Sequence, residues 1–250
     1  EKEGARLLVE LGRLCKKIFV RERATLSVTG EIEESWMSEM VCLLGHRQEQ
    51  YAKDVLEEGD CGVAIRMGIR IPAEIGFAGK GANINLCGAT YHGAMKVAAR
   101  MLSYGYLWES IRMKGGAYGA GLTVSGNGDV AFTSFRDPNA ANSLEIFDKA
   151  GAALRAICES NEPLDRYIVS TIASIEPLLS VRQKGIRAAQ DYLGSVTWER
   201  ICRERSEILC TTKEDLMRVI YVLNQVCEKG GVCVIGGKSS LDAVSTILEQ

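Results

Sequence analysis

The segment IRMKGGAYGA (111–120) places an arginine, two glycines and a tyrosine within seven residues. A guanidinium and a phenol both donate directed hydrogen bonds, and carbonyl oxygens accept them. The two glycines allow the chain to reverse, because glycine adopts backbone conformations that other residues avoid. Arg112 and Tyr118 would then lie side by side, where they could hold a peptide backbone or stabilise an oxyanion that forms on a carbonyl.

Two other interpretations of this segment remain open. Glycine-rich loops bind phosphates where a strand leads into a helix N-terminus, but here a helix enters the loop and a strand leaves it. No GK[ST] sequence follows, and the order of elements speaks against nucleotide binding. Alternatively, Gly115 and Gly116 could form only a helix cap and a tight turn, with Tyr118 as a hairpin aromatic and Arg112 as a solvated charge.

A long helix must position Arg112. Residues 90–114 carry apolar side chains at three- and four-residue steps, which predicts one helix with one buried face. Tyr104 and Trp108 fall on this face and are therefore predicted core residues. Gly115, directly after the helix, is predicted to be its left-handed C-terminal cap.

The segments around this helix predict an α+β fold. A strand is expected near 73–79, and a hairpin with its turn at 126–129 follows the glycines. Several helical patterns come next, and Thr211 with Glu214 predicts a capping box on the last of them. A buried-type strand at 231–236 and a closing helix end the chain. Strands on both sides of a helical block indicate an antiparallel-type sheet with helices packed on one face.

The N-terminal part predicts a separate, incomplete unit. Residues 3–18 and 33–58 have helical patterns, and ATLSVTGE (24–31) alternates apolar and polar residues like a short strand. One strand cannot form a sheet by itself. We therefore predict that 1–62 is the truncated tail of a preceding α+β domain plus a linker, and that 63–250 is a second domain. We expect the chain to be a piece of a longer polypeptide.

Composition limits the partners and the compartment. The net charge is −2, with 46% hydrophobic and 25% charged residues, which is typical of a globular protein. This balance gives no electrostatic reason to expect nucleic acid or an anionic membrane as a partner. No run of about 18 apolar residues predicts a membrane span. Nine cysteines without a CxxC pair favour free thiols in a reducing, cytoplasmic setting.

The segment HGAMKVAARMLSYGYLWESIRMKGGAYGA (92–120) resembles the C-terminal half of pitrilysin/insulinase-type zinc metallopeptidases, and most closely the presequence-protease branch. In that branch a long helix ending in YLW…IR.KGGAYG precedes a hairpin and an S[YF]RDPN segment, which SFRDPN (134–139) matches. IPAEIGFAGKGANI (71–84) resembles the strand before that helix. The resemblance covers most of the chain and is strongest over 71–150.

The resemblance implies a chamber built from two halves, each with two related α+β domains. The N-terminal half of such enzymes binds zinc through an inverted HxxEH motif, whose glutamate is the general base. The C-terminal half lacks the metal, closes the chamber and supplies an arginine and a tyrosine for substrate binding near the scissile bond. These roles fall on Arg112 and Tyr118 as candidate catalytic and substrate-binding residues, with Gly115 and Gly116 completing the substrate-binding segment.

The sequence departs from a complete peptidase at the metal. Its two histidines are His46 and His92, and HRQEQ (46–50) has Gln50 where the second zinc ligand would stand. Because a neutral amide is a poor zinc ligand, we interpret His46 and Glu49 as a solvated helix face, and His92 as a capping or surface residue. We therefore expect zinc in the intact enzyme, and neither a catalytic zinc site nor peptidase activity in this chain alone.

Other polar residues near the hairpin are interpreted as structural. Asp129 and Asp137 stand at turn positions, where aspartate is favoured by local backbone hydrogen bonds, so we assign neither to acid–base catalysis. Arg136 and Asp137 of SFRDPN are predicted to pin the junction between a strand and a helix.

Two functions are consistent with these features. The leading hypothesis is the C-terminal, substrate-binding fragment of a zinc-dependent oligopeptidase that encloses and hydrolyses peptides. Its partners would be a peptide substrate and the missing N-terminal catalytic half. The alternative is a non-catalytic structural or processing subunit that pairs with an active zinc peptidase subunit. An HxxEH motif encoded upstream distinguishes the two, and a face left exposed by the missing half could also allow a homodimer.

Overall fold

The computed structural model describes residues 2–19, 24–31, 33–43, 65–160 and 162–248. The strands are β1 (Arg66–Arg70), β2 (Gly76–Asn83), β3 (Gly119–Val124), β4 (Asp129–Asp137) and β5 (Gly231–Gly236). The helices are α1 (Lys2–Ile18), α2 (Glu34–Leu43), α3 (Ala94–Tyr104), α4 (Ala140–Asp148), α5 (Ala150–Glu159), α6 (Asp165–Ile175), α7 (Val181–Leu193), α8 (Trp198–Leu209), α9 (Lys213–Lys229), α10 (Lys238–Asp242) and α11 (Ser245–Leu248). None of the helices in these described ranges has both the length and the apolar character needed to cross a membrane.

The described residues form two compact units. One contains the residues described within 1–59 together with 178–197, and therefore α1, α2 and α7. The other contains the remaining described residues, with the whole sheet and the segment that carries Arg112 and Tyr118. Residues 178–197, which the sequence pattern assigned to the second domain, cluster with the N-terminal residues. That the first unit is the tail of a preceding domain stays a prediction.

The sheet of the second unit has five strands in the order β1-β5-β2-β4-β3. The pairings of β5 with β2, β2 with β4 and β4 with β3 are antiparallel, whereas β1 joins β5 in parallel. The hairpin of β3 and β4 pairs Val124 with Val130 beside its turn and Gly119 with Phe135 at its open end. Asp129 accepts hydrogen bonds from two asparagine side chains at the turn. The predicted hairpin is confirmed, and Asp129 has the local role expected of it.

Helices cover one face of this sheet. In β4 the buried residues Val130, Phe132 and Ser134 alternate with more exposed neighbours, and β5 shows the same alternation. Helices α3, α4 and α9 pack against the sheet, and Phe132 stacks on Phe147 of α4 with ring centroids 5.3 Å apart. One buried face per strand is the pattern of an antiparallel sheet that is covered on one side. The predicted α+β class is confirmed.

In the first unit, α1, α2 and α7 are helical, but residues 24–31 do not form a strand. Leu26 and Val28, the apolar residues of the predicted strand, are exposed. An extended segment needs a neighbouring strand to pair its backbone groups, and the described part of this unit contains none. The strand prediction was therefore wrong for this chain.

The long helix predicted over 90–114 is divided. Gly105 follows the end of α3, and a wider π-helical turn occupies Trp108–Met113. In this turn the N–H of Lys114 donates to the carbonyl oxygen of Glu109, five residues earlier, at 3.0 Å. Such turns are uncommon within helices and are frequent at functional sites.

The interruption changes which side chains are buried. Leu107 and Ile111 are buried, whereas Tyr104 and Trp108 are 62% and 37% exposed. Trp108 lies in the wider turn beyond Gly105, so the buried face of α3 does not continue through it. Tyr104 is the last residue of α3, and its exposed ring contacts the guanidinium of Arg100. The core prediction for Tyr104 and Trp108 was therefore wrong.

The capping box of α9 begins one residue later than predicted. The side-chain oxygen of Thr212 accepts a hydrogen bond from the N–H of Asp215 at 3.2 Å, and Asp215 accepts one from the N–H of Thr212 at 3.0 Å. Thr211 is buried, and its hydroxyl donates to the carbonyl oxygen of Glu207 at 2.9 Å. The hydroxyl of Thr211 thus bonds to the preceding helix, and Thr212 is the residue that caps α9.

Asp137 fastens the end of β4 to the start of α4. Its side chain is 1% exposed and accepts hydrogen bonds from the N–H of Asn139 at 2.8 Å and from the hydroxyl of Ser143 at 2.5 Å. The predicted structural role of Asp137 is confirmed.

We expect Asp137→Ala to lower the free energy of unfolding by about 2 kcal/mol, because it leaves the buried hydroxyl of Ser143 and the N–H of Asn139 without their acceptor. Urea unfolding of the 250-residue chain measures this change. The control is Asp242→Ala, which removes an exposed carboxylate and should alter stability by no more than about 0.5 kcal/mol. Equal stabilities of the two variants would contradict the assigned role.

Candidate functional site

Arg112 lies in the π-helical turn with its guanidinium stacked on Trp108. The Cζ atom is 3.9 Å from the centroid of the Trp108 ring. A cation over the face of a tryptophan gains about 0.5–2 kcal/mol, so this contact limits the orientations of the guanidinium. The apolar periodicity predicted a core position for Trp108 and did not indicate this role. The four-residue spacing of Trp108 and Arg112, which brings side chains together on a helix, was a signal for it.

The nearby carboxylate of Glu109 pairs with Lys114. The Nζ atom of Lys114 lies 2.8 Å from Oε1 of Glu109, and this hydrogen bond lowers the pKa of the Glu109 carboxyl group. Among the residues that the structure describes, no carboxylate lies within ion-pair distance of Arg112. The charge of Arg112 therefore has no counter-ion from this part of the chain.

Gly115 and Gly116 end the π-helical turn and reverse the chain. Gly116 has a φ of +78°, and its N–H donates to the carbonyl oxygen of Arg112 at 3.1 Å, which is the hydrogen bond of a left-handed helix cap. The cap is thus Gly116, not Gly115 as predicted. Gly115 allows a close approach instead, because a Cβ atom there would lie 2.5 Å from the carbonyl oxygen of Ile111.

Tyr118 stands at the open end of the β3–β4 hairpin. Its N–H lies 3.1 Å from the carbonyl oxygen of Phe135 and 3.3 Å from that of Arg136, so its backbone is fixed. Its ring meets the ring of Phe135 edge to face, with centroids 5.9 Å apart. The side chain is nevertheless 65% exposed. A rigid backbone thus presents an accessible phenol.

The structure brings Arg112 and Tyr118 together. The Cζ atom of Arg112 is 5.9 Å from the centroid of the Tyr118 ring, and neither side chain is buried in the core. Of the four predicted site residues, these two present functional groups, while Gly115 and Gly116 form the reversal between them. The arrangement can present N–H and O–H donors to carbonyl oxygens. The catalytic roles of these residues stay a prediction.

Arg136 also belongs to this cluster. Its Cζ atom lies 5.9 Å from the Tyr118 ring centroid, the same distance as that of Arg112. Its side chain is exposed, and among the described residues the side-chain hydrogen bonds at the junction of strand and helix are made by Asp137 and Asn139. The structural role predicted for Arg136 was therefore wrong. Nothing in the local sequence pattern indicates this position, because it depends on how β4 pairs with another strand.

A groove of about 470 Å³ begins beside this cluster and follows β3, which is one of the two edge strands of the sheet. Its walls include Arg100, Tyr104 and Trp108 from the helical side and residues 120–124 from the strand. Its volume lies in the range of ligand-binding clefts. Edge strands can offer backbone groups to extended peptides, although in β3 the N–H and the carbonyl oxygen of Leu122 already bond to the hydroxyl of Ser103 on α3. The groove could therefore hold part of a peptide whose neighbouring residues contact Arg112 and Tyr118.

The described residues do not fit a zinc site. His92 accepts a hydrogen bond on Nδ1 from the N–H of Ala94 at 3.2 Å, as the capping interpretation predicted. In the described ranges no three histidine, cysteine, aspartate or glutamate side chains converge on one point. His46, Glu49 and Gln50 lie outside the described residues, so their interpretation as a solvated face stays a prediction.

A family model described as "PreP C-terminal domain" matches residues 67–238 of the chain. Curated relatives include Presequence protease 1 of Arabidopsis thaliana, which is 31% identical over 178 residues, covering 71% of this chain and 16% of that protein. Protein HypA of Clostridium perfringens is 28% identical over 174 residues, covering 70% of this chain and 18% of that protein. The chain thus spans less than a fifth of the length of these relatives.

Solved structures share the fold at low sequence identity. Pitrilysin superimposes with a TM-score of 0.57 at 13% identity, covering 82% of this chain and 23% of pitrilysin. An inactive domain of an M16 peptidase from Pseudomonas fluorescens superimposes with a TM-score of 0.52 at 13% identity, covering 84% of this chain and 52% of that domain. At these identities the similarity concerns the architecture alone.

Proposed function

The chain belongs to the PreP C-terminal domain family, and from this membership we propose that it forms the substrate-binding wall of a zinc-dependent oligopeptidase that encloses and hydrolyses peptides. Its partners in that role are a peptide substrate and a separate N-terminal half that carries the catalytic metal. The observation that carries the proposal is the pair formed by Arg112 and Tyr118, which lie next to each other at the surface of the second unit.

In this proposal the two side chains bind the peptide near the bond that is cleaved. The N–H groups of Arg112 donate to a carbonyl oxygen of the substrate, and Trp108 keeps the guanidinium in one orientation. The hydroxyl of Tyr118 donates to the carbonyl oxygen on which negative charge develops. Neighbouring residues of the peptide extend along the groove beside β3. These contacts orient the substrate from one wall, and a zinc ion held by the other half would supply an activated water.

The test compares the complete protein with the 250-residue chain. We expect the complete protein to hydrolyse peptides, and a chelator to stop it. We expect the isolated chain, supplied with zinc, to cleave nothing, because its described residues do not fit a zinc site. Release of a fluorophore from a quenched peptide measures both. Hydrolysis by the isolated chain in a sample free of other proteases would contradict the proposal that catalysis requires the other half.

A non-catalytic subunit is the alternative, and the same experiment addresses it. A complete reading frame without an HxxEH motif, whose product is inactive alone but increases the activity of a separate zinc peptidase, would replace the leading proposal. A cytoplasmic location and a homodimer stay predictions. Sedimentation of the chain at several concentrations measures the second of these.

A further inference from the structure

The backbone of Arg136 is unusual in a way that aims its side chain at Tyr118. Gly76 of β2 pairs with Asp137 of β4, whereas Ala78 pairs with Ser134, so β4 carries one extra residue over this stretch. Arg136 lies in this β-bulge and has a φ of +49°, a left-handed conformation that side-chain-bearing residues rarely adopt. Bulges redirect side chains and are frequent next to active sites. A conformation of this kind persists only where the surrounding structure enforces it.

The bulge places a second guanidinium at the site. The Cζ atoms of Arg112 and Arg136 are each 5.9 Å from the centroid of the Tyr118 ring. The Cζ atom of Arg136 is also 5.8 Å from the centroid of the Phe135 ring. The exposed phenol therefore has two arginines beside it, and the aromatic faces partly offset the positive charge of Arg136.

The two guanidinium groups lack an anionic partner. Within the described part of the chain, no carboxylate lies at ion-pair distance from either Arg112 or Arg136. Like charges gathered at one surface repel each other unless an anion joins them. A guanidinium matches a carboxylate through two parallel N–H···O hydrogen bonds, which a neutral carbonyl group cannot accept in the same way.

We propose that Arg136 and Arg112 together bind a carboxylate of the peptide substrate, so that this site selects peptides with an anionic group. The inference rests on the proposed function, since it specifies which peptides the same wall prefers. The carboxylate belongs either to the C-terminus of the peptide or to an aspartate or glutamate side chain. Arg112 then serves both the backbone and the anion, whereas Arg136 serves the anion alone.

Three variants distinguish the effect of the Arg136 guanidinium from the effect of its left-handed backbone conformation. Arg136→Asn removes the charge and keeps a residue that tolerates the left-handed region. Arg136→Gly also removes the charge and relieves any backbone cost. Arg136→Lys keeps the charge but lacks the planar guanidinium with its two parallel N–H donors. Circular dichroism and thermal unfolding show whether each variant retains the fold of the 250-residue chain.

The binding measurement uses three fluorescein-labelled peptides of one sequence. The first has a free C-terminal carboxylate, the second a C-terminal amide, and the third an amide with a glutamate near the C-terminus. Fluorescence anisotropy with the 250-residue chain gives the Kd of each. We expect the wild-type chain to prefer at least one anionic peptide over the plain amide by about tenfold or more, since charged hydrogen bonds have this strength. The preferred anionic peptide identifies the source of the carboxylate.

Arg136→Asn and Arg136→Gly should lose this preference while their Kd for the amide peptide stays unchanged, and Arg136→Lys should keep part of it. A wild-type chain that binds all three peptides equally overturns the inference and leaves the proposed function standing. A preference for the anionic peptide that persists in Arg136→Asn also overturns it. So does an equal loss of affinity for all three peptides in variants that remain folded. If the wild-type chain binds no peptide, its proposed role as a substrate-binding wall fails, and the inference fails with it.

Discussion

If the complete protein is the peptidase proposed above, Tyr118→Phe should lower its kcat by about a hundredfold, because it removes one hydrogen-bond donor from the position where negative charge develops. The substitution deletes only the hydroxyl group. The edge-to-face contact with Phe135 and the backbone hydrogen bonds of Tyr118 do not involve that group, so the fold should be unchanged. KM should change little, since the missing interaction is formed mainly in the transition state. Steady-state hydrolysis of a quenched peptide measures both constants.

Tyr221→Phe is the matched control for this experiment. Tyr221 lies on α9 and is 63% exposed, close to the 65% of Tyr118, but it is not part of the arginine cluster. The same chemical change at this position should leave kcat at the wild-type value. A Tyr118→Phe enzyme with normal turnover would remove the phenol from the mechanism. The groove and Arg112 could then still bind substrate, but they would do so without this donor.

The proximity of Arg112 and Tyr118 was predictable from the sequence because it is a local property. They are six positions apart, and the two glycines between them leave few ways for a helix to lead into a strand. The hairpin was predictable for the same reason, since its alternating segments flank a turn rich in asparagine and glycine. The existence of the reversal and the hairpin follows from a few consecutive residues, but the exact cap residue does not, since Gly116 and not Gly115 has the left-handed conformation.

Features that depend on distant residues were not predictable. The bulge that redirects Arg136 arises from the register of β4 against β2, strands separated by the whole of α3 and the reversal. The π-helical turn changes which face of the helix is buried, so Trp108 lies beside Arg112 and not in the core. Periodicity assumes a uniform helix or an unbroken strand. It fails at these irregular points, which are also where this site is built.

The predicted strand at 24–31 was wrong for a different reason, which is that the local pattern was strand-like but no strand formed. Its alternating pattern is that of a real strand, but a strand is stable only when its backbone pairs with a neighbour. No such neighbour occurs in the described part of the first unit. The local pattern therefore specified a strand for which the described part of the first unit offers no pairing partner.

The geometry of the reversal itself is tested by Gly115→Ala. A Cβ atom at this position would lie 2.5 Å from the carbonyl oxygen of Ile111, which belongs to the backbone of the π-helical turn. That oxygen accepts a hydrogen bond from the N–H of Ala117 at 3.1 Å, and both Ile111 and Ala117 are buried. Neither the carbonyl group of Ile111 nor the N–H of Ala117 can move away freely. The turn must therefore open and displace Arg112 relative to Tyr118. Misplacing catalytic groups by about 1 Å can cost about a hundredfold in rate.

We therefore expect Gly115→Ala to lower kcat of the intact peptidase by about a hundredfold and the free energy of unfolding by about 1–3 kcal/mol. Gly119→Ala is the control, because a Cβ atom there would meet no atom within 4 Å. It adds the same methyl group on the other side of Tyr118 and should leave kcat unchanged. Wild-type turnover in a folded Gly115→Ala enzyme would mean that the site does not depend on the close approach of Gly115 to Ile111. The spacing of the two side chains would then be a property of the helix and the hairpin separately, and the double glycine would serve only to connect them.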